Sequence, residues 1–265
     1  MTGLEDIAFA TIVMVVLAGL AAGWVDAVVG GGGLLQLPVL LMVPGITPVQ
    51  ALATNKMGSI FGTATSTVTY YRRVRPDLRT ALPMAAVALG GSFGGAIVAT
   101  VLPAEVIKPV IVLALIGVAV FTAARPQLGR DSMLRYTGRR HLLTALGIGL
   151  VIGFYDGVLG PGTGTFLVIS LVAMLGYDFL HASAKAKIVN LATNLGAIAF
   201  FLPSGHILVG LGLILGLSNM VGGYLGARMA VRQGAGFIRV VFLCVVFVLI
   251  AKLGWDLIAE WTAAA

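Results

Sequence analysis

Four charged side chains stand in stretches too apolar to hold them without a reason: Asp26, Lys56, Asp156 and Lys187. An ionisable group at bilayer depth is costly and is by default a functional hypothesis. Each aspartate lies four residues before a glycine that opens an irregular segment, Gly30-Gly31-Gly32-Gly33 after Asp26 and Gly160-Pro161-Gly162-Thr163-Gly164-Thr165 after Asp156. A buried carboxyl there can carry a proton. It can equally serve as a structural acceptor, capping glycine-loop N–H groups or pairing with a lysine. Lys56 and Lys187 each follow a polar patch, Thr54-Asn55 and Lys185, and two cations at matching positions suit a symmetric clamp on an anion. The alternative is that both stems snorkel to an interface. Asn55 beside the clamp, and Ser59, Thr63, Asn190 and Asn194 one or two helical turns beyond it, can donate hydrogen bonds to an oxyanion or bond between helices.

The elements that must position these groups are unusual ones. Between Gly33 and Pro44 the chain has room for an apolar piece of about nine residues, Leu34 to Met42, which spans roughly half of a hydrocarbon core. It reads as a half-helix or re-entrant segment. Irregular backbone is tolerated at that depth only where it faces protein or a water-filled cavity. Freed N–H groups at a half-helix N-terminus bind anions, and Leu34 and Thr165 each begin one. The two breaks, Gly30, Gly31, Gly32 and Gly33 with Gly160, Gly162, Thr163, Gly164 and Thr165, are therefore expected to converge on one small anion. The plainer reading of these glycines is tight helix crossing.

Apolar runs predict helices over 7–29, 49–71, 80–101 and 105–124, then 142–159, a short piece at 165–175, 186–202, 207–230 and 236–258. Lys56 matches Lys187, Ser59 Asn190, Thr63 Asn194, Gly91 Gly222, Gly95 Gly226 and Lys108 Arg239, all at an offset of 131. One single-residue shift brings in the aspartates. This is an internal duplication. It divides the chain into a first membrane repeat (1–125), a basic linker (126–141) and a second repeat (142–265).

The composition of the 265-residue chain is 59% hydrophobic and only 10% charged, with a mean hydropathy of +1.04, far from the roughly 25% charged residues of a soluble domain. The runs are long and do not alternate, so the class is an all-α integral membrane protein. The net charge of +7 reflects orientation rather than a nucleic-acid partner. If each opening segment dips in and returns as a broken hairpin, the loops 72–79, 125–140, 176–187 and 228–239 share one side with 4, 5, 2 and 3 basic residues. That places 14 of the 17 Lys and Arg in the cytoplasm. The positive-inside rule then favours inverted repeats with both termini outside. Cys244 is the single cysteine, so no internal disulfide is expected. The histidines His141, His181 and His206 lie near loops, no metal cluster is evident, and no cofactor is expected.

The Asp-x-x-x-Gly-Gly-Gly-Gly-x-x-x-x-Pro pattern from Asp26 to Pro38, with Ala51-Leu52-Ala53-Thr54-Asn55-Lys56, resembles the sulfite exporter TauE/SafE family, also called the toluene-sulfonate uptake permeases. The second half, Gly153-Phe154-Tyr155-Asp156-Gly157 through Gly164 and Ala186-Lys187-Ile188-Val189-Asn190, is similar to the bacterial YfcA-like branch. The resemblance covers nearly the whole chain. It implies an inner-membrane transporter of small sulfur-containing or organic anions. Its partners would be that anion and the lipid bilayer, with a homo-oligomer compatible; proton coupling is an extension. A channel is the rival mechanism, since Gly162-Thr163-Gly164 resembles a filter loop. Nucleotide chemistry is disfavoured, because the second glycine segment lacks the Gly-Lys-Thr ending of a P-loop, and with no nucleophile and base evident at the same depth an enzyme is not expected.

Overall fold

The computed structural model describes residues 9–101 and 132–264, with side chains as far as Cys244 and at Phe247. The first apolar run forms α1 (Phe9–Val29) and stops at Gly30, whose φ of 87° turns the chain out of the helix. Helix α2 (Gly33–Leu41) then folds back along α1: Gly32 lies against the Ala22 carbonyl and the Asp26 Cβ, and Leu40 shares a core cluster with Val15. Nine residues rise only about 13 Å, so α2 ends part-way. A capping box at Thr47 and Gln50, with Pro48 at the first helical position, starts α3 (Pro48–Val74). It ends at Arg72 and Arg73 with Arg75 left-handed. Asp77 caps α4 (Leu78–Ala99) through the Arg79 N–H.

A second series follows the same order: α5 (Gly138–Val158), α6 (Thr163–Ser170) continued by a π-helical turn at Leu171–Leu175, α7 (Phe179–Phe201) and α8 (Val209–Ala264). Helix α8 is broken at Gly234 (φ 77°, ψ −169°), inside the gap expected between 230 and 236. There is no strand among the described residues. Helices α1, α4, α5 and the Val209–Cys244 part of α8 are long and apolar enough to cross a membrane. The helix expected over 105–124, with Lys108, and residues 126–131 of the linker lie outside the described residues.

Two expectations change. Helix α5 begins at Gly138, within the stretch assigned to the linker. Helix α7 begins at Phe179 rather than 186, because the Asp178 carboxylate accepts from the backbone N–H groups of Leu180 and His181 and fixes the start there. Lys185 and Lys187 are thus buried helical residues and do not belong to a cytoplasmic loop spanning 176–187.

Small residues set the packing. Helix α1 runs parallel to α8, with Gly23 against Asn219 and Gly223 and with Gly222 and Gly226 against Trp24. Helix α5 runs parallel to α4 in the same manner, with Gly153 on Ala88 and Gly95 on Phe154 and Val158. Helices α3 and α7 meet antiparallel. The Thr67 hydroxyl donates to the Lys187 carbonyl (3.0 Å), and the Asn194 amide, one to two turns further along α7, donates to Thr63 (3.4 Å).

The basic segments gather at one end. Lys185 Nζ donates to the Asp77 carbonyl at 2.8 Å, Met133 N to the Gly176 carbonyl at 2.7 Å, and the Phe179 ring packs at a tilt against Phe242.

A candidate transport site between two broken helices

Lys56 sits about two turns into α3 and Lys187 about two turns into α7. The Lys56 ammonium meets Asp156 Oδ1 at 2.6 Å, and the Lys187 ammonium meets Asp26 Oδ2 at 3.1 Å. Lys187 also donates to the backbone carbonyl of Asp26, in the last turn of α1. The pairs are crossed: each lysine of one half takes the aspartate of the other. The lysine side chains are 3% and 1% exposed, so neither reaches an interface by snorkelling. Of the two roles open to the carboxyls, lysine pairing is the one seen in this conformation.

The two breaks meet directly. Gly30 and Gly164 are in backbone contact, and a methyl group on either would overlap the other's main chain. The Thr165 N–H donates to the Gly30 carbonyl (3.2 Å) and its hydroxyl to the Val29 carbonyl (3.1 Å). No anion fits between Gly30 and Gly164 here, and the expected free N–H groups at Leu34 and Thr165 are engaged. The reason is where the half-helices start: Gly33 and Thr163 open them, so the Leu34 N–H turns back to the Gly31 carbonyl and Leu35 and Gln36 to Gly32.

A second meeting point lies beside the first pair. A Cβ on Gly160 would come within 2.8 Å of Lys56 Nζ, and one on Gly33 within 3.4 Å of Asn55 Nδ2 and 3.5 Å of Pro161 Cα. The Thr163 hydroxyl closes the Gly160 carbonyl at 2.8 Å, and the Tyr155 hydroxyl donates to the Pro161 carbonyl at 2.7 Å. Gly33, Asn55, Lys56, Asp156, Gly160 and Pro161 therefore form one cluster. Within it Asn55 Oδ1 and Asp156 Oδ2 are buried without a hydrogen-bond partner among the described residues. A buried polar atom left unpaired costs of the order of 1–3 kcal/mol, so this part of the interior holds unspent hydrogen-bonding capacity.

The other expected ligands make interhelical and local bonds in this state. Thr63 donates to the Ser59 carbonyl and accepts from Asn194, while Asn190 Oδ1 accepts from Thr193. Ser59 donates at 3.0 Å to Gln36 Oε1 on α2. Gln36 was not among the expected site residues. It is fully buried, its Nε2 is unpaired, and it is the only polar side chain of Gly33–Leu41, which is the signal that could have found it. No group of His, Cys, Asp and Glu among the described residues is arranged to hold a metal.

The arrangement, two charge-paired broken helices inside an apolar bundle, can be set beside known proteins. The family model "Sulfite exporter TauE/SafE" matches residues 15–253. The chain belongs to the sulfite exporter TauE/SafE family. It is 36% identical over 251 residues to a Sinorhizobium protein named "Probable membrane transporter protein ORF9", covering 94% of this chain and 95% of that one. It is 32% identical over 236 residues to Escherichia coli "Probable membrane transporter protein YfcA", covering 89% and 86%. A Haemophilus influenzae "Probable membrane transporter protein" is 30% identical over 251 residues, covering 95% and 97%. No solved structure matches the chain. As a TauE/SafE protein it is a multi-pass membrane transporter, and a bacterial inner membrane fits its spans and its relatives.

Proposed function

We propose that this TauE/SafE transporter carries a small sulfur-containing or organic anion, of the sulfite or sulfonate type, by alternating access. The observation that carries the reading is the crossed Lys56–Asp156 and Lys187–Asp26 pairs at the two helix breaks. Removing one partner of a buried pair leaves an uncompensated charge and costs about 3–5 kcal/mol. A substrate oxyanion that replaces the carboxylate on a lysine avoids that cost. The displaced aspartate then needs a new partner or a proton, which gives the carboxyl a coupling role. Gly33, Asn55 and Gly160 line the approach to Lys56, and Asn55 supplies amide donors there. In the conformation described, Gly30 is closed on Gly164 and both lysines are latched by protein carboxylates.

The halves, 1–125 and 142–265, are read as inverted repeats. Three features support this: helices matched at an offset of 131 share equivalent neighbours, matched α3 and α7 run antiparallel, and each α1-type helix packs along the other half. Inverted repeats with discontinuous helices are the architecture in which two bundles rock about a midplane site.

The test is a thermal-shift panel on purified protein with sulfite, sulfate, thiosulfate, sulfoacetate, taurine and short carboxylates. A ligand at 100 times its Kd stabilises by about 2.7 kcal/mol. One sulfur anion should raise Tm, and Lys56→Ala and Lys187→Ala should abolish the rise. No shift with any sulfur anion would withdraw that substrate class.

A further inference from the structure

A second basic feature lies away from the latched pairs. Between α3 and the first leg of α8 there is an open cavity of about 580 Å³ whose lining includes Val68, Thr69, Arg72, Arg73, Tyr224 and Arg228. No carboxylate lines it among the described residues. Its arginines stand at the basic end of the bundle, at the last turn of α3 and the matching level of α8, while Ala64 and Thr65 lie deeper. From Arg73 to Ala64 the wall descends about 13 Å along the helix, from the basic end of the bundle into its apolar part. The two helices touch at Gly62 and Gly223, so the cleft opens beside a closed crossing and faces outward. Exposed Val68, Val221 and Leu225 flank it, each 48–49% accessible. The deeper hydroxyls are already used, Thr65 on the Phe61 carbonyl and Thr69 on the Thr65 carbonyl, which leaves the lower walls effectively apolar. Arg228 Nη1 donates to the Tyr224 hydroxyl at 3.4 Å, which keeps that guanidinium over the cavity mouth.

We propose that this cleft is a binding site for an anionic phospholipid: the phosphate diester on Arg72, Arg73 and Arg228, and the start of an acyl chain along Ala64 and Val68. Three cations with no acid among the described lining residues match a phosphate, and basic clefts between transmembrane helices recognise anionic headgroups. The apolar, outward-facing lower wall selects a lipid over a free anion, which would gain nothing from Val68. The site is separate from the latched lysines and does not depend on which anion is carried.

The experiment uses the full-length protein, delipidated in detergent, with phosphatidylglycerol, phosphatidylcholine of the same chain length, and inorganic phosphate as probes. Binding is followed by native mass spectrometry and by thermal shift. Phosphatidylglycerol should bind saturably and raise Tm, with phosphatidylcholine and phosphate inert at equal concentration. Each basic residue near an anionic surface contributes roughly a fivefold preference, so Arg72→Gln/Arg228→Gln should weaken phosphatidylglycerol binding by about thirtyfold. Equal retention of phosphatidylcholine, or an unchanged affinity in the double variant, would overturn the site. A shift of the same size with inorganic phosphate would assign the cleft to a free anion instead. Glutamine keeps the polar stems at exposed positions, and an unaltered Tm without lipid checks that the double variant is folded.

Discussion

At the residue scale the decisive observation is which lysine meets which aspartate. Lys56, Lys187, Asp26 and Asp156 are conspicuous in the sequence because charge at membrane depth is conspicuous. Their pairing is not legible there, since the partners stand 100 and 161 residues apart. The same limit hid Gln36, a single amide in an apolar run whose meaning comes only from Ser59 across the bundle. The pairing makes a sharp prediction. Lys187→Met or Asp26→Asn alone should each destabilise the protein by about 3–5 kcal/mol, because each leaves the other group buried and unpaired. The double variant should recover most of that loss, since two neutral groups need no compensation. Unfolding in detergent measures all four proteins. Additive losses would mean that the two side chains act independently and that the pair is not a latch.

At the element scale the sequence revealed the broken helices and misplaced two starts, that of α5 by four residues and that of α7 by seven. The breaks were readable because four glycines, or Gly-Pro-Gly-Thr-Gly, cannot continue a helix in lipid at no cost. The start of α7 was not, because Ser183, Lys185 and Lys187 look like a solvated loop until Asp77 and Asp26 are placed beside the lysines. Asp178 carries that start. Burial alone would raise its pKa, but the Ser132 hydroxyl and the backbone and ring of His181 outweigh it, so the carboxyl titrates below its ordinary value. A lowered pKa means that the stabilisation is complete above the unfolded value of roughly 3.9 and is lost as pH falls through the folded one. Asp178→Ala should therefore cost about 1 kcal/mol near neutral pH, and the gap to wild type should narrow as pH drops below roughly 4. Melting curves across that range test it. A gap that stays constant with pH would remove Asp178 from the account.

At the scale of the whole molecule, the charge count survives the loss of Lys185 and Lys187 from the loops. The segments around Arg72 to Arg79, Arg135 to Arg140 and Arg228 to Arg239 still gather at one end of the bundle, and that end should face the cytoplasm. Helix α8 is broken at Gly234, and under the proposed inversion its second leg returns the chain to the opposite side. A periplasmic reporter fused after the last residue should be active and a cytoplasmic one silent. The opposite result would reject the proposed inversion, while leaving the crossed pairs in place. The all-helical membrane class was readable from hydropathy alone. The exchange of neighbours between halves was not, because an apolar face does not specify its partner in the sequence.

That exchange has a consequence for how the protein is made. The glycine face of α1 is covered by α8, and Asn219 closes on the Gly19 carbonyl across 200 residues of chain. At roughly 5–20 residues per second, ribosomes need about 10–40 s to supply that partner after α1 has emerged. For most of that interval a helix bearing Asp26 waits at the insertion machinery before Lys187, 161 residues on, has been made to meet it. Biogenesis of the first half is thus obliged to remain unfinished until the second half arrives, and the two halves produced as separate chains should each be degraded alone and rescued together.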